Sequence, residues 1–253
     1  MFVAAGTGLF INSLGSALRR AAQHDVFSKG KSHGDGWGYA AVSDAHEICS
    51  RSIKPIYEDV LPNFGSELLG CLFHARLAAK GEPRRSCLNS HPFTAHLPEG
   101  VLYLTHNGQV DRQKVAAKFG VAQNGRTDSE IMTLALEKIE GTYEERFANV
   151  MEYCGREAKI GSVIVMALLH MYTGGFVLLL NVDPEADGSY HRIYELTDDE
   201  NNFAWMSSSI AFELKKIDIQ GREQDSSIRK MTPGQIYKRH FSETWKESAM
   251  PEQ

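Results

Sequence analysis

Three blocks of hydrophobic periodicity, ordered strand, helix, strand, constrain this 253-residue chain most. Short apolar runs come first: MFVAAG, GWGYAAV, LLGCLFHA and VLYLT, each bounded by glycine or polar residues. One early segment, LFINSLGSALRRAAQ, instead has helical spacing and predicts a helix over residues 9–23. Helical spacing then dominates the middle, in RQKVAAKF, EIMTLALEKI and YEERFANVMEYC. From Lys159 strands return as SVIVMALL, GFVLLLNV, SYHRIYEL and FAWMSSS, with GQIYKRHFS last. That order implies α+β layers in one domain spanning residues 1–253, without linker or internal repeat.

Local signals punctuate the blocks. Turns are expected at Asp44-Ala45 and Asp183–Gly188, a cap at Asp111, a helix stop at Gly120 and a capping box at Thr127/Glu130. VLYLTHNG reads as a strand ending in a turn. GEPRRSCLNSHPFTAHLPEG has no periodicity, and a loop of that length is often functional. KESAMPEQ reads as a frayed tail.

Bulk properties exclude several classes. A net charge of −5 argues against a broad basic face for nucleic acid. Four cysteines with no CxxC pair argue against a zinc site and a disulfide framework, and predict reduced thiols in the cytoplasm. SVIVMALLHMY is too short to span a membrane, and the N-terminus lacks a signal-peptide pattern.

Five short motifs carry chemistry. In HNG (His106, Asn107, Gly108), a side-chain amide and a closely approachable backbone N–H could form an oxyanion hole; a hairpin turn is the plainer reading. In HAR, Arg76 offers a planar fork to a carboxylate, or else reaches solvent at a strand end. In TDSE, Asp128 at a helix start could receive an amine, beside its role in a cap. HGDGWG reads as a turn entering a strand, with Asp35 in the turn and Trp37 in the core. NSHPF places His91 in the long loop, where a histidine is usually solvated.

Taken in order, HGDGWG, HAR, NSHPF, THNG and TDSE resemble the class II glutamine amidotransferase domain of the N-terminal nucleophile hydrolases. DGWG and HPF resemble its stand-alone branch, which includes γ-glutamyl amidohydrolase-like proteins. The resemblance covers residues 1–215, and MTPGQIYKR in the closing 216–253 segment is similar to the family's last strand. It implies a four-layer αββα sandwich. It also implies that Arg76 grips the substrate's α-carboxylate and Asp128 its α-ammonium. Asn107 and Gly108 would hold the oxyanion, and His91 would lie beside the pocket. No cofactor or metal is implied. The small-molecule substrate would be glutamine or a γ-glutamyl compound, and ammonia would be released or passed to a partner subunit.

The chain departs from this family twice. The family's nucleophile is a cysteine directly after the initiator methionine, with its own α-amine as base; here Phe2 follows Met1 and no cysteine precedes Cys49. Cys71 falls in a core strand, and Cys87 has no α-amine beside it. The retained substrate-side residues favour a misplaced start, with Met-Cys-Arg ahead of Met1. The alternative is an inactive relative serving as an amino-acid sensor or partner subunit. Ala79 and Lys80 also stand where the family commonly has a hydroxyl residue and histidine, which leaves glutamine and γ-glutamyl amides both open as substrates.

Overall fold

A computed structural model describes residues 1–43, 46–79, 86–185 and 189–242. Two antiparallel sheets stack face to face, with helices on both outer sides. The first sheet contains β1 (Phe2–Thr7), β2 (Trp37–Val42), β3 (Glu47–Ser52), β4 (Leu68–Ala75), β9 (Ile193–Thr197), β10 (Phe203–Ser207) and β11 (Ile228–Lys230). Its order is β11-β9-β10-β1-β4-β2-β3. The second contains β5 (Phe93–Leu97), β6 (Gly100–Val110), β7 (Lys159–Met171), β8 (Phe176–Asn181) and β12 (Ile236–Phe241), in the order β12-β8-β7-β6-β5. Helices α1 (Gly8–Gln23) and α5 (Ser208–Glu213) cover the first sheet. Helices α2 (Arg112–Phe119), α3 (Asp128–Ala135) and α4 (Tyr143–Arg156) cover the second. This is the expected α+β, αββα architecture.

The layering explains the unbroken apolar runs. Successive strand residues point to opposite faces, so a strand covered on both faces needs apolar side chains at every position. In β7, Val163, Val165 and Ala167 pack under the helices, while Ile164, Met166 and Leu168 face the other sheet. In β1, Phe2 and Ala4 pack towards α1, while Val3 and Ala5 join the inter-sheet core. Among the described residues, no helix is long and apolar enough to cross a membrane.

Several expectations are corrected. HNG does not end a strand in a turn: β6 runs through it to Val110, and the pairing with β7 shifts register between Gly108 and Val110. FTAHL is not loop but strand β5, an edge strand whose residues alternate between buried and more open, paired to β6 through a short Pro98-Glu99 connection. The Thr127 cap forms its forward half, accepting from Glu130 N at 3.2 Å, whereas the Glu130 carboxylate takes Arg126 Nε at 3.0 Å. The complete capping box lies instead at Thr142 and Glu145, at the start of α4. The Asp44-Ala45 turn, residues 186–188 of the Asp183–Gly188 turn, Lys80, residues 81–85 of the long loop and the tail from 243 lie outside the described residues.

Candidate active site

A cavity of about 860 Å³, open mouth included, lies where the ends of the two sheets converge. The end of β4 contributes His74 and Arg76, and β6 contributes His106, Asn107 and Gly108. The start of α3 contributes Asp128, and the segment before β5 contributes His91. The five residues singled out from sequence, Arg76, His91, Asn107, Gly108 and Asp128, therefore line one space.

Local structure holds each in place. Arg76 is buried rather than reaching solvent. Its backbone N–H donates to Gly36 O at 2.8 Å and its carbonyl accepts from Asp35 N at 3.1 Å. The Asp35 carboxylate accepts from Ala78 N at 2.9 Å, so the HGDG turn clamps the chain on both sides of the arginine. Only glycine serves at residue 36: its φ is +110°, and a Cβ would lie 2.7 Å from Ser52 O.

Asp128 ties α3 to the bulge in β6. Its carboxylate accepts from Val110 N at 3.0 Å, from Ser129 N at 2.7 Å and from Ser129 Oγ at 3.2 Å. His106 lies between these elements, with Nδ1 3.1 Å from Ser129 Oγ and Nε2 3.4 Å from Ser162 O. Gly108 has φ +151°, and a Cβ there would stand 1.5 Å from Ser162 O. Backbone can thus approach backbone only because residue 108 carries no side chain. Ser162 Oγ completes the junction by donating to Asn107 O at 3.1 Å.

His91 is buried, contrary to the solvated loop histidine expected from sequence. Its ring lies 4.2 Å from that of His74, centroid to centroid, and 4.9 Å from that of Phe93. Burial holds both imidazoles well below their ordinary pKa of 6.5, and neighbouring positive groups add to the effect. Burial also lowers the pKa of His106, against the opposing charge of Asp128.

A further wall has no counterpart among the residues predicted to form the site. Asp25, after α1, accepts from Ser209 Oγ at 2.7 Å and from Phe27 N at 3.1 Å, and lies 3.1 Å from His33 Nε2. Burial alone would raise its pKa, but these hydrogen bonds hold it below the ordinary value. Asp25 and Ser209 are 184 residues apart, so local pattern could not have joined them; His33 was legible within HGDGWG. Met1 completes the lining, with burial pushing its α-amine down to about 5 against the pull of Asp25.

None of the four cysteines lines the cavity. Cys71 and Cys154 are buried in the two helix-side cores; burial pushes the Cys71 thiol far up and that of Cys154 to about 12. Cys49 and Cys87 are exposed. Among the described residues, no three His, Cys, Asp or Glu side chains are grouped to hold a metal ion.

Residues 20–159 match the family model for Glutamine amidotransferases class-II, which covers more than half of the chain and all five motifs, HGDGWG, HAR, NSHPF, THNG and TDSE. The chain belongs to this family. A comparison with curated proteins finds no match.

The buried histidines give this class II amidotransferase-family protein a specific pH dependence. In the unfolded chain His74 and His91 take up protons near pH 6.5, but in the folded protein only well below it. The unfolded state therefore binds more protons as pH falls below 6.5, and stability that is complete above this value is lost. Each histidine contributes a slope of at most about 1.4 kcal/mol per pH unit. The denaturation midpoint is expected to fall between about pH 7 and about pH 5, and less steeply in His91→Phe. Asp25 and Asp183, whose pKa values are also lowered, act in a separate window, at and below the ordinary carboxylate value of 3.8.

Proposed function

We propose that residues 1–253 form a single glutaminase-type domain that binds an α-amino acid and cleaves its side-chain amide through a cysteine thioester. The observation carrying this reading is the convergence of Arg76, Asp128, Asn107 and Gly108 on one cavity. A guanidinium and a carboxylate suit the two charged ends of an α-amino acid. The side chain of glutamine, or of a γ-glutamyl compound, would then extend towards Asn107 and Gly108. There a side-chain amide and a backbone N–H would donate to the oxyanion.

The nucleophile would be a cysteine shortly ahead of Met1, whose α-amine already lies at the cavity. The thiol proton passes to the cysteine's α-amine as sulfur bonds to the amide carbon. Collapse of the oxyanion breaks the C–N bond, and the proton leaves with ammonia or an amine. Water then hydrolyses the thioester to the carboxylic acid. The ammonia is released or passed to a partner subunit. Four free thiols support a cytoplasmic location. A second reading, an amino-acid sensor, is favoured by the absence of any of the four cysteines from the cavity lining.

A chain carrying Met-Cys-Arg ahead of Met1 tests both, by calorimetry with L-glutamine alongside an ammonia assay. Binding with ammonia release is expected. Binding without release would support the sensor, and no binding of glutamine or a γ-glutamyl amide would overturn the amino-acid site itself.

A further inference from the structure

His106, Ser129 and Asp128 form a chain of three hydrogen-bonding side chains along one wall of the cavity. All three are buried, so protein groups must supply most of their hydrogen bonds. The middle member has one proton to give and two groups that can take it. Ser129 Oγ lies 3.1 Å from His106 Nδ1 and 3.2 Å from Asp128 Oδ1. A hydroxyl carries a single donor hydrogen, so it serves one of them at a time.

The protonation of His106 decides which. Its Nε2 lies 3.4 Å from Ser162 O, and a carbonyl only accepts, so Nε2 carries the hydrogen. In the neutral ring Nδ1 is therefore bare, and it accepts from the Ser129 hydroxyl. In the protonated ring Nδ1 donates to Ser129 Oγ, and the hydroxyl hydrogen turns to Asp128. Asp128 feels the difference at one oxygen. Its Oδ2 accepts from Val110 N at 3.0 Å and its Oδ1 from Ser129 N at 2.7 Å. A carboxylate has about four acceptor positions, so one stays open on each oxygen while the hydroxyl serves His106. Turning the hydroxyl fills the position on Oδ1.

We propose that Ser129 is a positioning residue for the amine site: its hydroxyl bonds to neutral His106, which leaves both Asp128 oxygens open to the substrate's α-ammonium, and turns onto Asp128 when His106 gains a proton. This rests on the amino-acid reading of the cavity given above. The groups around His106 set the direction of the pH dependence. Burial pulls its pKa below 6.5, while Asp128 from α3, the Ser162 carbonyl from β7 and Asp183 after β8 oppose the shift. His91, ahead of β5, also lies within its electrostatic reach, and burial keeps that ring neutral until well below pH 6.5. His106 is thus neutral at pH 7 and gains its proton only below 6.5. Amino-acid affinity is full above that value and falls below it.

Calorimetry with L-glutamine from about pH 8 to about pH 5, across the histidine range, tests this. It is run on the chain as it stands, on His106→Gln and on Ser129→Ala, with circular dichroism confirming the fold at each pH. The wild type is expected to lose about tenfold in affinity on acidification, as the loss of one hydrogen bond to a charged group predicts. His106→Gln cannot take up a proton and should stay within about twofold. Ser129→Ala keeps the histidine charge but has no hydroxyl to turn, and should stay within about threefold. A constant affinity in the wild type overturns the proposal and leaves the amino-acid site intact. So does a full loss in His106→Gln, which would place the titration on another histidine, or in Ser129→Ala, which would make it a matter of charge alone. If the wild type binds no glutamine at any pH, the amino-acid reading falls and the relay falls with it. If His106→Gln does not fold, Ser129→Ala decides: a reduced loss supports the relay, and an undiminished one overturns it.

Discussion

Arg76→Ala is expected to weaken L-glutamine binding by about 100-fold or more, measured by calorimetry on the folded variant. Removing one partner of a buried, hydrogen-bonded charge pair typically costs about 2–5 kcal/mol, and about 2.7 kcal/mol corresponds to 100-fold. The backbone around Arg76 is held by Gly36 O and Asp35 N, contacts that the substitution leaves in place. The loss should therefore appear in affinity more than in stability. Arg76→Lys keeps the charge but not the planar fork, and should fall between wild type and alanine. An alanine variant that binds glutamine within about threefold of wild type would show that the carboxylate is held elsewhere.

Asn107→Ala is expected to lower kcat by about 100–1000-fold in a chain bearing the N-terminal cysteine, the usual cost of losing one oxyanion donor. KM should change little, because the oxyanion forms only after attack has begun. The backbone of residue 107 stays in β6, paired across from Ile164 and bonded through its carbonyl to Ser162 Oγ. The second proposed donor, Gly108 N–H, is kept in the variant, so residual activity above background is part of the expectation. An equal rise in KM with kcat unchanged would instead make Asn107 a ground-state binding residue.

The layers were legible because sheets covered on both faces demand unbroken apolar runs, and β1, β4, β7 and β8 supply them. Arg76 stood out because an arginine in an apolar run needs a reason to be there, and Asp128 because it stands at a predicted helix start. The misses share a different cause. Strand β5 follows Pro92 and carries Thr94 and His96 on its less buried side, so its alternation passed for loop. The α5 and β11 elements are 6 and 3 residues long, too short for periodicity to register. Asn-Gly signalled a hairpin turn at residues 107–108, whereas β6 continues through them because β7 accompanies it, with the register shift taken up beyond Gly108. His91 is packed against His74 from a different strand, a contact that local pattern does not show. The Asp25–Ser209 contact is likewise purely tertiary.

The most direct measurement is a crystal structure of this chain soaked with L-glutamine. The α-carboxylate should lie within about 3 Å of the Arg76 guanidinium, the α-ammonium against Asp128, and the side-chain amide towards Asn107 and Gly108. Glutamine bound the other way round, or bound elsewhere with this cavity empty, would contradict the assignment of these residues to an amino-acid site.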